Sequence, residues 1–554
     1  MKPWTTAATL NRSLAPEQVD RLALAAVLLI ALFVRFYAIA VPAIWYDEAY
    51  SLVLAREAPA RIWALTALDV HPPLYYLLLH YWMLLWGDSP FAVRALSALA
   101  DVGTLLLSIK LMSLISTRRA TWIAAVLLAF LPISVRYSQE ARMYTLVGFW
   151  LMAATVVLVC WVRAPEQKRF SLIYVLLMVA AFYTHYFAGL CVLVHWLFWW
   201  QSRSSNTAVA IPWGQWTVAN LAIVFWYLPW IPPLIEQLSI TNNLQWIQPV
   251  TLQDGLALVW QFIVLGDSRR SLWQLMPFAL MLLCAATIIM KPSGERRFSV
   301  LLVSYFFVPV IALYLISLVL PLFVPRYLVF SAPALAMMIA AALDTGGTRR
   351  AFLAMIALML VVAAQLHGLT MVYRQTDGLN GTGARQDTGF ASLVAQLNQN
   401  ARPGDEIIIA NAYWFLTFAY YSTTSIEPKY EIRSSMDEFL RLTSRGALSL
   451  INDPARSAYI DGVTALDCRS QRVWWVTDKS LSQARPLFAK DRAPSFVFNG
   501  GNVFAYLFSP DAVLAPGEAS TSVASMPPPD HSAQNCPPAP FATSANRTRH
   551  SPRQ

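Results

Sequence analysis

The chain has 554 residues, of which 57% are hydrophobic and 13% charged, where an ordinary soluble protein carries about a quarter charged residues. Mean hydropathy is +0.48. These figures exclude a wholly soluble protein and describe a polytopic α-helical membrane protein with some soluble mass attached. The net charge of +10 is no sign of nucleic-acid binding, because much of it sits in basic loops of the kind that hold membrane topology.

About eleven apolar runs are long enough to be read as spans. They lie near 22–41, 91–115, 120–137, 143–162, 170–186, 188–201, 213–235, 271–290, 298–320, 327–343 and 351–372. No small-residue cleavage site follows the first run, so it is expected to stay as an anchor. Residues 1–20 then form a cytoplasmic N-terminus and 21–372 the membrane domain. The segment 250–270 reads as an interfacial helix or half of a span. With the N-terminus inside, Arg118-Arg119, Lys168-Arg169, Arg296-Arg297 and Arg349-Arg350 all fall in cytoplasmic loops. The outer loops of the membrane part contain no lysine, which is the asymmetry expected of a multi-pass protein in a bacterial plasma membrane.

The first outer loop is long, roughly 42–90. Within it, Arg56 to Leu68 places Ile62, Trp63, Leu65 and Leu68 near one helical face. That is an amphipathic helix, either on the membrane surface or packed against the bundle. After about residue 373 the composition turns polar. Ser392–Asn400 reads as a helix, and Glu406–Ala410, Val473–Val476 and Val503–Phe508 read as strands. A small extracytoplasmic α/β domain is expected over 373–510. The tail, 511–554, is rich in Pro, Ser and Ala and is expected to be disordered.

The five cysteines form no C-x-x-C pair, which argues against a zinc or redox motif. Cys160, Cys191 and Cys284 lie in apolar spans. Cys468 and Cys536 both follow the last span and could pair in an oxidising compartment, although their spacing does not require it.

Polar motifs gather at the outer face. Asp47-Glu48 follows the first span, and two adjacent carboxylates at the rim of a hydrocarbon slab are costly unless water, a cation or a reaction needs them. One such carboxylate could take a proton from an acceptor; the plain alternative is a hydrated pair capping the next helix. Arg35, near the outer end of the first span, either snorkels or pairs with Asp47 or a phosphate. His71-Pro72-Pro73 holds a titratable ring on a rigid turn, with Tyr75 and Tyr76 after it. Gln139-Glu140-Ala141-Arg142-Met143-Tyr144 packs a second acid and a phosphate-shaped guanidinium fork into a short loop. His185 sits at a bend between two spans, and Pro325-Arg326-Tyr327 opens the tenth.

Taken in order, Tyr46-Asp47-Glu48-Ala49, His71-Pro72-Pro73-Leu74-Tyr75-Tyr76, Gln139-Glu140-Ala141-Arg142-Met143-Tyr144, Thr184-His185-Tyr186-Phe187 and Pro325-Arg326-Tyr327-Leu328 resemble the bacterial family-39 glycosyltransferases. These are of the GT-C class, related to the protein O-mannosyltransferases and the lipid A aminoarabinose transferases. The resemblance covers roughly residues 20–345. It implies a multi-span enzyme that takes a sugar from a polyprenyl-phosphate carrier and passes it, with inversion, to a glycan, lipid or protein acceptor outside the cytoplasm. It implies Asp47 as catalytic base, with Glu48 beside it and Glu140 as second acid. Arg142 and Arg326, with Tyr144 and Tyr327, are the implied donor-phosphate ligands. His71, Tyr75, His185, Arg35 and Arg94 are further candidates for the cavity. Family members differ in their need for a divalent metal; His71, His185 and the acids could hold one, but no ligand spacing demands it. The competing reading is a secondary transporter or flippase, which would spread charges through the depth of several spans.

Overall fold

The computed structural model describes residues 16–204, 210–238, 247–266, 275–290, 296–345, 351–379, 381–386, 389–432, 449–450, 459–461, 472–478 and 494–509. It divides into two compact units, one of residues 1–388 with 444–450, the other of 389–443 with 451–554. The expected tail at 511–554, Cys468 and Cys536 lie outside the described residues.

The first unit is helical. In chain order its helices are α1 (Pro16–Phe36), α2 (Tyr46–Ala55), α3 (Pro59–Leu68), α4 (Leu74–Trp86), α5 (Pro90–Ile115), α6 (Arg118–Ala129), α7 (Pro132–Ser138), α8 (Tyr144–Arg163), α9 (Lys168–Thr184), α10 (Ala188–Ser204), α11 (Trp213–Tyr227), α12 (Ile231–Leu238), α13 (Leu252–Ile263), α14 (Leu275–Met290) and α15 (Arg296–Ser317). A 3-10 turn, Pro325–Ser331, leads into α16 (Pro333–Leu343), followed by α17 (Ala351–Tyr373) and α18 (Thr382–Gln386).

Among the described residues, five helical segments are long and apolar enough to cross a membrane, or seven if each of two bent pairs is one span. The hydropathy reading expects eleven. The difference has physical causes. Helices α9 and α10 have 17 residues each, about 26 Å at 1.5 Å per residue. Helix α1 carries Asp20, Arg21 and Arg35. The run expected at 120–137 is broken by Pro132 into α6 and α7, bent by 50°, because proline cannot donate to the preceding turn. A second bend of 47° separates Pro325–Ser331 from α16.

The long first loop holds more helix than its sequence reading assigns. Leu74–Trp86, read there as loop, is a 13-residue apolar helix, too short to span. In α3, Ile62 and Thr66 are buried rather than the whole expected apolar face. Trp63 packs edge-on against Trp230, with ring centroids 4.9 Å apart. The helix therefore packs on the bundle. At 250–270 the structure forms the 12-residue α13, opened by a capping box between Thr251 and Asp254.

The bundle core is built on the pairing of α5 with α8. Gly103 lets them approach: a Cβ there would stand 2.7 Å from the Phe149 ring, the small-residue contact expected between helices in lipid.

The second unit contains α19 (Gly389–Asn400), β1 (Glu406–Ile409), α20 (Ala412–Tyr421), β2 (Lys429–Ile432), β3 (Tyr459–Asp461), β4 (Val473–Thr477), β5 (Phe496–Asn499) and β6 (Phe504–Phe508). The sheet order is β3-β2-β1-β4-β6-β5. The first four strands in that order are parallel and the last two antiparallel. Strand β4 is buried on both faces, as a central strand should be. Its Trp474 and Trp475 satisfy their indole N–H groups on Asp405 and Glu431 at 2.9 and 3.1 Å. The three strands read from sequence are present. The three others are only three or four residues long, too short for a periodic signal.

Candidate active site

Adjacent residues on a helix point about 100° apart, and that angle separates the two carboxylates at the start of α2. Both lie in its first turn, where the helix dipole favours negative charge. Glu48 turns inward and is fully buried. It accepts both fork bonds of Arg94 at 2.7 Å and the Ala141 N–H at 2.8 Å. The remaining Arg94 donors go to the carbonyls of Ile39, Pro42 and Ala43. Burial would raise the Glu48 carboxyl, but the charge and bonds of Arg94 outweigh it and hold the group below its ordinary value. With every donor of Arg94 directed inside the protein, the pair ties α2, α5 and the 139–143 loop together. Both side chains are buried and directed at each other.

Glu140 has a comparable position. It is buried and accepts from Trp45 Nε1 and Arg136 Nη1, each at 2.9 Å. Arg136 also donates through Nε to Asp377 at 2.9 Å. Arg385 completes this charged layer, donating to the Gln139 carbonyl at 3.2 Å. Arg35 is likewise engaged in the bundle, with Asp101 at 2.7 Å and the carbonyls of Leu128 and Ala129 at the α6 break. It is a lock on that bend, neither a snorkelling residue nor a partner of Asp47. The sequence reading missed Arg136, Asp377 and Arg385. Only Arg136 carries a local signal, four residues before Glu140.

Removing one member of the buried pair should be costly. Glu48→Gln is expected to destabilise the fold by about 3–5 kcal/mol, since it leaves the Arg94 charge buried and uncompensated. Glu48→Gln/Arg94→Met should melt closer to the parent than Glu48→Gln alone. A parental melting temperature in the single variant would refute this account.

A second, mostly buried polar cluster gathers around the partly exposed Asp47. The Asp47 side chain is 18% exposed, and its Oδ2 accepts from Arg326 Nη1 at 3.0 Å. Arg142 donates through Nη1 to the Asp47 carbonyl at 3.2 Å and to Ser51 Oγ at 3.0 Å. The Tyr76 hydroxyl lies 3.5 Å from the same nitrogen. Tyr144 stands between the two guanidinium groups, with its ring 6.0 Å from Arg142 and 5.9 Å from Arg326. Tyr327 packs on Arg326 and on Tyr144. His185 touches both tyrosine rings and faces His71 at 5.7 Å. His71 in turn pairs with Asp69 at 3.2 Å. Tyr75 lies behind Tyr76, ring against ring at 5.6 Å, and supports it. Asp69, two residues before His71, is a partner the sequence reading overlooked.

Among the described residues, the buried polar atoms of this cluster without a hydrogen-bond partner include Arg142 Nε, the Tyr144 hydroxyl and His185 Nε2. His185 Nδ1 accepts the Phe187 N–H at 3.2 Å, so in the neutral ring the proton is on Nε2. Buried polar groups are rarely left unmatched. Their concentration here makes this cluster the candidate for receiving a polar ligand.

Burial lowers the His71 pKa below its ordinary value, against the opposing pull of Asp69. His185 lies well below it, through burial first and then the electrostatic influence of His71, Arg142 and Arg326. Both rings are therefore neutral at neutral pH. A histidine whose folded pKa is depressed stabilises the fold above the unfolded value, near 6.5, and that stability is lost as pH falls below it. The melting temperature should drop between pH 7.5 and 5.5, and drop less in His185→Asn. Equal drops would place the acid sensitivity elsewhere.

Among the described residues, no group of three or more His, Cys, Asp or Glu side chains could hold a metal ion. Asp69, the Phe187 amide and the partners of Glu48 and Glu140 already engage the candidate ligands.

The structure is similar to that of ArnT from Cupriavidus metallidurans bound to undecaprenyl phosphate, with a TM-score of 0.59 at 14% identity, covering 91% of this chain and 100% of that one. The apo state of the same protein gives 0.58 at 13% identity, covering 88% and 98%. ArnT is a lipid A aminoarabinose transferase of the GT-C class. The chain has the GT-C fold. The oligosaccharyltransferase AglB from Archaeoglobus fulgidus, also of the GT-C class, gives a TM-score of 0.49 at 14% identity, covering 74% of this chain and 64% of that one. No family model matches the sequence, and no curated protein matches it. In this chain the cluster around Asp47 is assembled from α2, the 69–76 segment, the start of α8, the turn at His185 and the 3-10 turn at Arg326.

Proposed function

We propose that this chain is a membrane glycosyltransferase that moves a sugar from a polyprenyl-phosphate carrier to an acceptor at the extracytoplasmic face, with inversion. The observation that carries the reading is the Asp47–Arg326 pair, set beside Arg142 and three unmatched polar atoms. The fold shared with a protein solved bound to undecaprenyl phosphate supports a lipid-phosphate donor. The Lys/Arg asymmetry of the sequence supports the extracytoplasmic side.

In this mechanism the donor phosphate enters between Arg326 and Arg142, with the Tyr144 hydroxyl beside it. Arg326 exchanges the Asp47 carboxylate for phosphate oxygens, which its planar fork fits. Asp47 is then free to accept the proton of the acceptor hydroxyl or amine. The acceptor attacks the anomeric carbon from the face opposite the phosphate. The bond from that carbon to the phosphate oxygen breaks, and its electron pair leaves with the lipid phosphate, where the two arginines stabilise the new charge. Glu48 and Glu140 hold the walls.

The test is donor use by purified protein in liposomes. Synthetic polyprenyl-phosphate hexoses and pentoses are offered with an extract of candidate acceptors, and free polyprenyl phosphate is measured. At least one lipid-linked sugar should be consumed, and matching nucleotide sugars should give no product. Transfer directly from a nucleotide sugar, or no consumption across the panel, would overturn the reading.

A further inference from the structure

Away from this site, α1, α5 and α6 line an open cavity of about 610 Å³. Its position along the bundle follows from the chain. The last turn of α1 and the first turns of α5 lead to the site through the Glu48–Arg94 pair. Helix α6 runs towards the same end, through its bend into α7 and on to Glu140. The cavity is bounded instead by Asp20–Leu24 at the start of α1, Leu106–Ser113 late in α5 and Arg118–Trp122 at the start of α6. It therefore sits at the opposite end of the bundle from the candidate active site.

Its wall has two characters. Leu24, Leu106 and Ile109 are apolar, while Arg21, Lys110 and Arg118 are basic. The one carboxylate, Asp20, is already engaged by Arg118 at 2.7 Å and by the Trp122 indole N–H at 3.0 Å. Burial tends to raise the Asp20 pKa, but the Arg118 hydrogen bond, the larger effect, holds it below the ordinary value. Among the described residues, Arg21 and Lys110 make no ion pair. On α1, Leu24, which lines the cavity, is 39% exposed, an apolar contact beside the basic mouth.

From this arrangement we infer that the cavity binds the headgroup of an anionic glycerophospholipid, with Arg21 and Lys110 on its phosphate and an acyl chain along the exposed face of α1. The charge is complementary: two unpaired cations and one neutralised carboxylate leave a net positive mouth. A cationic pocket between helices at the interface is suited to an anionic head. The apolar wall favours a lipid over a free anion, because only the lipid brings an apolar segment to cover Leu24, Leu106 and Ile109.

The experiment counts lipids retained on the full-length protein by native mass spectrometry from mixed micelles. Equal amounts of phosphatidylglycerol and phosphatidylcholine are offered. The parent should retain phosphatidylglycerol in preference, and Arg21→Gln/Lys110→Gln should lose that preference while retaining phosphatidylcholine unchanged. Raising the salt concentration on the parent should also erase the preference, since both cations are exposed and screened. This arm needs no variant to fold. Equal retention of the two lipids by the parent, or a preference that survives both salt and the double substitution, would overturn the assignment. Activity is not the readout, so the outcome is independent of the proposed glycosyl transfer.

Discussion

Asp47→Asn is expected to lower kcat by about 10²–10⁴-fold, the usual cost of losing a general base, in a protein that still inserts and folds. Asparagine keeps the side-chain shape, and its oxygen can still accept from Arg326, but it cannot take the acceptor proton. Only the Asp47 half of the acidic pair meets the requirements for a base: its side chain is partly exposed, and its partner Arg326 can be drawn away by a phosphate. The loss should fall on kcat, with the donor KM unchanged or lower, because weakening the Arg326 contact removes a competitor for phosphate. That split separates a base from a residue that merely shapes the pocket. Near-parental kcat in purified Asp47→Asn would remove Asp47 from the mechanism. The Asp69–His71 pair, not Glu48, would then be the next candidate, since Glu48 is held by Arg94.

The second large effect concerns the donor. Arg326→Ala should lower kcat/KM for the lipid-linked sugar by about ten- to hundredfold, the range expected for losing a charge-assisted hydrogen bond of roughly 1.5–3 kcal/mol. Arg142→Ala should act similarly, because its unmatched Nε is available to a second phosphate oxygen. Arg326→Lys should recover only part of the loss, since the charge returns without the planar fork. Inhibition by free polyprenyl phosphate should weaken in parallel in both Ala variants. A structural role alone would not move that inhibition constant in step with kcat/KM. Unchanged kinetics and inhibition in both variants would move the phosphate site elsewhere. Arg35 and Arg94 would not replace it, because Asp101 and Glu48 engage them in the bundle.

Much of the bundle is legible in the sequence because a bilayer imposes length and apolarity on each span. Helices α5, α8 and α17 match the expected segments within one residue at either end, and α15 within three. The motifs themselves are legible too, as acids, arginines and histidines placed where a hydrocarbon slab ends. Helix α4 is not, because Leu74–Trp86 is apolar but too short for a hydropathy window to register as a span. The breaks at Pro132 and Pro333 are visible as prolines, although the bends of 50° and 47° are not.

By itself the sequence determined the helical membrane class, the three main strands of the second unit and the set of residues from which a site could be drawn. Only the tertiary structure decided which of those residues pair with one another and which are left partly exposed. Glu48 meets Arg94 across 46 positions, Arg136 meets Asp377 across 241, and Arg326 meets Asp47 across 279. No local pattern encodes such pairings. A buried charge must find an opposite charge wherever packing places one, so two neighbouring carboxylates with the same local sequence context end with different roles. One is enclosed by an arginine fork in the core, and the other is left at the rim with an arginine that a phosphate can draw away.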